Sequence, residues 1–265
     1  MMDLRASCVK STALDSLHCS RNAATLLGVV DAAARTARDR ARAELTGEIK
    51  AVARRHLAEQ GSAALSLRAV AREVGMVSSA VYRYFPSRDD LLTALIVDAY
   101  DAVGATAEAA LQEVRRRGVV SRWVHVTAAI RRWALANPHE YALIYGSPVP
   151  GYAAPPDTID PAARVSYVLL QIVVDGVASG EIDTRDASPA PRAVRGDLAQ
   201  LRALAAPEVP DAVLSRALLA WAELFGSISL EMFGHLHQVI HDYDAFFELQ
   251  MRRAAEFLVA GAGPA

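Results

Sequence analysis

The stretch Leu65-Ser66-Leu67-Arg68-Ala69-Val70-Ala71-Arg72-Glu73-Val74-Gly75-Met76-Val77-Ser78-Ser79-Ala80-Val81-Tyr82-Arg83-Tyr84-Phe85-Pro86-Ser87-Arg88-Asp89-Asp90-Leu91-Leu92 decides how the chain folds. Ser66 is an N-cap type of residue, able to accept from the free amides of a first turn, and it opens a predicted helix over Leu67 to Val74. Gly75 can take the positive φ that ends such a helix without steric cost. Ser78 and Ser79 open a second helix, and Pro86, which lacks an amide hydrogen, stops it. Ser87 caps a third, with Asp89 and Asp90 in the first turn, where the helix dipole favours negative charge. Two short helices of seven or eight residues about a Gly-containing turn make a helix-turn-helix.

Leu67, Val70, Ala71 and Val74 supply the inner face of the first helix, and Val77, Val81 and Phe85 that of the second. Ser78, Ser79, Ala80, Tyr82, Arg83 and Tyr84 are then left facing outward. Small residues at the start let a helix N-terminus enter a major groove about 12 Å wide. Ser66, Tyr82 and Arg88 can donate to phosphates, which fix register without reading bases. Any three-helix bundle with a tight turn would leave a similar pattern, with Tyr82 to Phe85 as core plus surface.

Working outward, the apolar positions between Glu44 and Gln60 recur at steps of three and four (Ile49, Val52, Ala53, His56, Leu57), which predicts an amphipathic helix closed by Gly61. Residues 1 to about 34 have mixed polarity and no turn-bounded pattern, and are read as a loosely ordered extension. Arg35, Arg38, Arg40 and Arg42 follow, either a basic arm near DNA or a solvated helix face. From Arg35 to Asp90 there are 11 Arg/Lys against 7 Asp/Glu, a net of +4; the whole chain carries −2, so the remainder carries −6. A basic segment on a mildly acidic body suits a molecule that turns one face to phosphate.

Downstream, Leu91, Leu92, Leu95, Ile96, Ala99 and Val103 form the core face of a long helix. Past Gly104 helical patterns continue at about 106–117, 121–136 and 138–145. Four prolines and two glycines make a loop of Gly146 to Asp157. Further helices are expected at Pro161 to Ser179, Asp197 to Ala205, Asp211 to Phe233, and from Asp242 to Gly261. No stretch alternates as a strand would. The fold class is all-α, with an extension over 1–40, a helix-turn-helix domain over 41–90 and a helical effector-binding and dimerisation domain over 91–265.

At 52% hydrophobic and 22% charged residues the chain is globular rather than disordered. Cys8 and Cys19 offer neither a disulfide framework nor a CxxC metal spacing, so a reducing cytoplasm is expected. No unbroken apolar run approaches a membrane span, and Asp31 interrupts the segment nearest to a signal-peptide core, Ala23 to Ala34.

The helix Asp211 to Phe233 is apolar almost all round, through Leu214, Ala217, Leu218, Trp221, Leu224, Phe225, Ile228 and Met232, and must be covered on both sides. Phe246, Phe247, Leu249, Ala254, Phe257 and Leu258 of the last helix offer it a partner face. One monomer's core would account for this, as would a two-fold dimer; the dimer, with Trp221 in its interface, is preferred because it sets two reading helices one DNA turn apart. Trp123, Trp133, Tyr141, Tyr145, Trp221 and Phe225 are candidates to line an apolar effector pocket, against ordinary core packing. His237 and His241 would share a helical face, but His235, His237 and His241 have no accompanying cysteine and are read as a solvated cluster, with no metal site. There is no G-x-S-x-G elbow and no phosphate-cradling GxxxxGK[ST] loop, so neither an enzyme nor a cofactor is expected.

Over about residues 44–100 the sequence resembles the TetR/AcrR family signature: a hydroxyl cap, Arg-x-Val-Ala, then after Gly the small residues, Tyr, and Phe-Pro-Ser-Arg before Leu. Arg88 stands where Lys is more usual, and Tyr84 where His is common. The resemblance implies that Ser66, Tyr82 and Arg88 hold phosphates and that Ser78, Ser79, Ala80, Arg83 and Tyr84 are placed to read bases, with Arg68 also against DNA. Pro138 to Tyr152 and Trp221 to Gly234 resemble the C-terminal domain of the WHG type, with Phe225 where a His usually precedes Gly226. It further implies a homodimeric repressor, paired through its last two long helices as a four-helix bundle, bound to a pseudo-palindromic operator and released by a small-molecule effector. An effector-independent regulator, or a metal-sensing protein using the three histidines, are the alternatives.

Overall fold

The structure, a computed structural model, describes residues 11–185 and 191–260, without the side chains of residues 11–35, 63 and 205. The described residues form the helices α1 (Ser11–Gln60), α2 (Leu67–Glu73), α3 (Ser78–Val81), α4 (Arg88–Glu113), α5 (Val119–Ala136), α6 (Pro138–Tyr145), α7 (Ile159–Ala178), α8 (Arg192–Ala205), α9 (Asp211–Met232) and α10 (Tyr243–Ala260), with single 3-10 turns at Ser62–Ala64 and Pro156–Thr158. No strand occurs among the described residues, and the fold is all-α as expected.

Two hydrophobic cores are strung along one rod. The first gathers Ile49 and Ala53 of α1, Val70 and Ala71 of α2, Val81 and Phe85, and Leu91, Leu92, Leu95 and Ile96 of α4. The second starts at Val103 on the same α4 and adds α5, α7, α9 and α10. A boundary at residue 90 therefore cuts through the first core, which extends to Ile96. Ser87 Oγ caps α4 by accepting from the Asp90 amide at 3.1 Å, as its sequence position suggested.

Several expectations change. The first helix begins at Ser11, so residues 11–34, read as loosely ordered, continue the helix; the first ten lie outside the described residues. Gly104 does not interrupt α4. A Cβ there would stand 2.8 Å from Arg164 Cβ, so the glycine serves a close approach of α4 to α7. Arg164 clamps that approach, binding Asp101 at 2.7 Å and Glu108 at 2.7 Å on either side of it. The short stretch expected from Asp197 begins five residues earlier, as α8.

The α9 faces also separate. Leu214, Leu224, Phe225 and Ile228 are buried in the monomer's own core, and Arg216, one of its charges, donates to the carbonyl of Leu258 at 2.9 Å, closing the end of α10. The outward face is a different stripe, Leu219, Ala222, Gly226, Leu230 and Phe233, spaced by three and four. Leu219 is 59% and Leu230 43% exposed. On α10, Leu249 and Phe257 are likewise exposed while Phe247, Ala254 and Leu258 are buried. Trp221, 38% exposed, lies off the outward stripe and lines a cavity described below. By length and mean hydropathy (1.3) α9, and α7 with its preceding turn, equal membrane spans, a property no unbroken apolar run had signalled; both pack within the helical body.

Candidate nucleic-acid interface and neighbouring cavities

The turn between α2 and α3 rests on Gly75, at φ +76°, with Met76 N–H returning to the Ala71 carbonyl at 2.8 Å. This left-handed position is the one at which a side chain would be strained. Val77 follows as the extended N-cap of α3 and is 71% exposed, so it does not belong to the inner face assigned to it. α3 itself is a single turn, Ser78–Val81, with Tyr82 to Tyr84 continuing as turns rather than as the longer helix expected. Val81 and Phe85, four residues apart, still anchor it in the core.

Ser78 and Ser79 at the start of α3 are exposed, Ala80 is half-buried, and Tyr82 (42% exposed) and Arg83 project outward. Arg68 is exposed on α2. One turn on, the exposed Arg72 joins it around an open concavity that also includes Met76, Val77 and Ser78. Sequence reasoning left Arg72 out of the contact set, although its i+4 spacing from Arg68 places the two guanidinium groups on one face. Two arginines beside small serines give a surface that attracts phosphate and admits a groove edge.

Two of the expected contact residues, Arg88 and Tyr84, have intramolecular duties. Arg88 donates from Nη2 to the Ser62 carbonyl at 2.7 Å and from Nε to the Leu65 carbonyl at 3.2 Å, pinning the turn that leads into α2, and pairs with Asp89 at 3.1 Å. Tyr84 is half-buried against the first core, and the Arg42 guanidinium lies over its ring at 5.2 Å. Arg42 also donates to the Arg83 carbonyl at 3.1 Å, so one side chain of α1 steadies the end of the reading element. Ser66 is half-buried, in extended geometry, and its hydroxyl does not cap α2. A further clamp, His56 and Arg55 to Glu73 at 2.7 Å each, fixes α1 to α2; the Arg55 hydrogen bond first, then that of His56, holds the Glu73 carboxyl below its ordinary range.

The six aromatic candidates fall into separate places. Trp123 and Trp221 line a cavity of about 230 Å³ between α5, α7, α8 and α9. Tyr145 lines a more polar cleft of about 920 Å³ where the end of α1 faces α6 and the end of α9. Tyr141 and Phe225 are buried between the two: rings run Tyr141–Tyr145 at 5.1 Å, Tyr145–Phe225 at 4.3 Å and Phe225–Trp221 at 5.0 Å. The Tyr141 hydroxyl is satisfied by Ser229 Oγ at 2.8 Å, and burial pushes the phenols of Tyr141 and Tyr145 upward. Trp133 is buried in the second core and lines neither cavity. His235, His237 and His241 are exposed in the turn after α9, which is not helical, so the i, i+4 face is not formed; no group of metal-ligand type occurs among the described residues.

With this geometry in hand, comparison with known proteins is specific. Residues 49–95 match the family model for bacterial regulatory proteins of the tetR family, and residues 123–254 match the tetracyclin repressor-like C-terminal domain. The chain is 41% identical over 218 residues to the HTH-type transcriptional regulator Rv1816 of Mycobacterium tuberculosis, covering 80% of this chain and 91% of that one, and equally to Mb1846 of Mycobacterium bovis. The solved structure of the regulatory protein SCO4313 superimposes with a TM-score of 0.67 at 35% identity, over 82% of this chain and 97% of its own. A TetR-family structure from Shewanella sp. PV-4, at 19% identity and a TM-score of 0.52 over 78% and 96%, shares the fold. The chain belongs to the TetR family of bacterial transcriptional regulators, DNA-binding helix-turn-helix proteins that are not enzymes.

Proposed function

We propose that this regulator acts in the cytoplasm as a homodimeric repressor, binding a pseudo-palindromic double-stranded operator and leaving it when a small molecule occupies the body. The observation that carries the dimer is the outward apolar stripe of α9, with exposed Leu249 and Phe257 on the adjacent α10. Packing two copies through these helices removes that surface from water and sets two α3 elements on one face of the DNA. In this reading Ser78, Ser79, Ala80 and Arg83 meet base edges, and Arg68, Arg72 and Tyr82 hold phosphates. Ser66 adds a backbone contact. Arg88 and Tyr84 act by placing the α1–α2 turn and the end of the reading element, and touch DNA only beyond those bonds.

Gel shift on the protein's own upstream DNA, repeated at rising salt, tests this directly: a sequence-specific complex whose log affinity falls linearly with log salt is expected, and its absence at moderate salt would sink the reading. Tyr82→Phe is expected to weaken binding by a similar factor on every DNA sequence, since it removes a phosphate donor; altered base preference would assign it to readout instead. Arg72→Ala is expected to lower the salt slope by about one, and an unchanged slope would place Arg72 off the backbone.

A further inference from the structure

The inward face of α1 changes character where the helix leaves the first core. Ile49 and Ala53 are buried on that face. At about 100° per residue, Arg42, Arg38 and Arg35 fall within about 40° of the direction of Ile49, so a stripe that is apolar inside the core becomes arginine beyond it. Arg40 stands about 180° away, on the opposite side. Four arginines that look alike in the sequence are thus divided by the helix. Asp39 and Glu44, the carboxylates of this stretch, stand about 80° and 140° off the stripe. Thr36 to Glu44 are all exposed.

Where the stripe leads is set by Arg42. Its guanidinium donates to the Arg83 carbonyl at 3.1 Å and lies over the Tyr84 ring at 5.2 Å, so it is engaged at the end of the reading element. Arg38 stands about 6 Å farther along the helix axis and Arg35 about 10 Å, on the same side, so the stripe runs on past that end. Like charges spaced by three and four repel each other and destabilise a helix in water. This part of α1 has also left the packing that sustains helices in proteins. A polyanion lying on that side offsets both. We infer that α1 is a second DNA-binding element, in which Arg38, with Arg35 at the same register, holds backbone phosphates flanking those met by α2 and α3. The inference rests on the operator-binding reading of α3 and adds a contact outside the helix-turn-helix. Each guanidinium neutralises a phosphate and releases its counterions, without reading a base. Arg42, engaged within the chain, and Arg40, on the far side, take no part.

Arg38→Ala and Arg40→Ala remove the same charge two residues apart, at exposed positions where alanine favours the helix, so both variants should melt as the wild type does. Full-length protein is titrated by fluorescence anisotropy onto a duplex of its own upstream DNA at several salt concentrations. Arg38→Ala is expected to lower the salt slope by about 0.9 and the affinity about tenfold at low salt. Arg35→Ala combined with Arg38→Ala should lower the slope by about twice as much, and phosphate-ethylation interference should lose the outermost phosphates of the footprint. Arg40→Ala should stay within about twofold of the wild type, and Arg38→Lys, which keeps the charge, should keep the slope. Equal losses from Arg38→Ala and Arg40→Ala would reduce the effect to net charge, and a wild-type slope in the double variant would leave the stripe in water; either result overturns the inference. A duplex of unrelated sequence separates this from the operator reading, because phosphates carry no sequence. The same difference between Arg38→Ala and Arg40→Ala is expected there. If it holds while no sequence-specific complex forms, the operator reading fails and the stripe stands; a specific complex indifferent to Arg38 and Arg35 gives the reverse.

Discussion

Leu219→Glu combined with Leu230→Glu is expected to yield a folded monomer that has lost operator binding by at least 100-fold. Both side chains point outward on α9 in the single chain, so glutamate meets water there and changes the monomer's stability by about 0.5 kcal/mol or less. In a two-fold pair the same substitutions bring four carboxylates into a closed apolar contact, where ionised groups without partners are strongly disfavoured. Loss of pairing then costs the DNA complex its second half-site, whose effective concentration multiplies affinity by about 10²–10⁴. Light scattering should report half the mass, and circular dichroism an unchanged helical signal. A variant that still scatters as a dimer places the contact elsewhere. Trp221→Glu makes the contrast: turned toward the cavity rather than the outward stripe, it should leave the mass unchanged.

Arg131→Ala is expected to be the most destabilising single change in the body. Arg131 is buried on α5 and grips Glu231 at the end of α9 with two bonds, at 2.6 and 2.7 Å, while its third nitrogen reaches Asp244 at the start of α10 at 2.7 Å. Its guanidinium also lies over the Phe247 ring at 5.1 Å. The Glu231 hydrogen bonds raise its pKa further, against the desolvation that lowers it, so the cation persists at every working pH. Removing it strands a largely buried carboxylate, a loss of about 3–5 kcal/mol. For a chain of this size that corresponds to a fall in melting temperature on the order of 10 °C. Replacing both partners, as Arg131→Met with Glu231→Leu, should recover most of the loss; equal damage from the single and double changes would show that the charge pair is not the cause.

What the sequence made legible follows from punctuation and strict spacing. Gly75, Pro86 and Ser87 mark backbone states that few residues can adopt, and α2, the turn and the start of α4 lie where they indicate. The all-α class follows from continuous three- and four-residue periodicity. Faces were harder. α9 is apolar all round, so period alone could not tell Leu219 from Leu224, and only the packing of α5, α7 and α10 around it divides inside from outside. Val77 looked like a core residue because it stands four before Val81, yet it precedes the helix, and an extended residue does not keep helical phase. Arg88 and Arg42 were read by charge, when their partners are carbonyls of turns about 25 and 41 residues away. Such long-range bonds leave no local signature. The aromatic candidates were chosen by type, and the structure scatters them between a cavity, a cleft and the core.

α4 has a bearing on how members of such a family can exchange parts. Because the two cores meet on one uninterrupted helix, the seam between them lies inside α4, between Ile96 and Val103, and not in a loop. A chimera that joins this DNA-reading half to a foreign body must be spliced within those two turns with the count of residues preserved. One residue gained or lost would rotate the body by about 100° against the operator-facing surface and shift it by about 1.5 Å. Recombination within the family is thus constrained by helical phase, and a joint at residue 90 would fail even where both halves are sound.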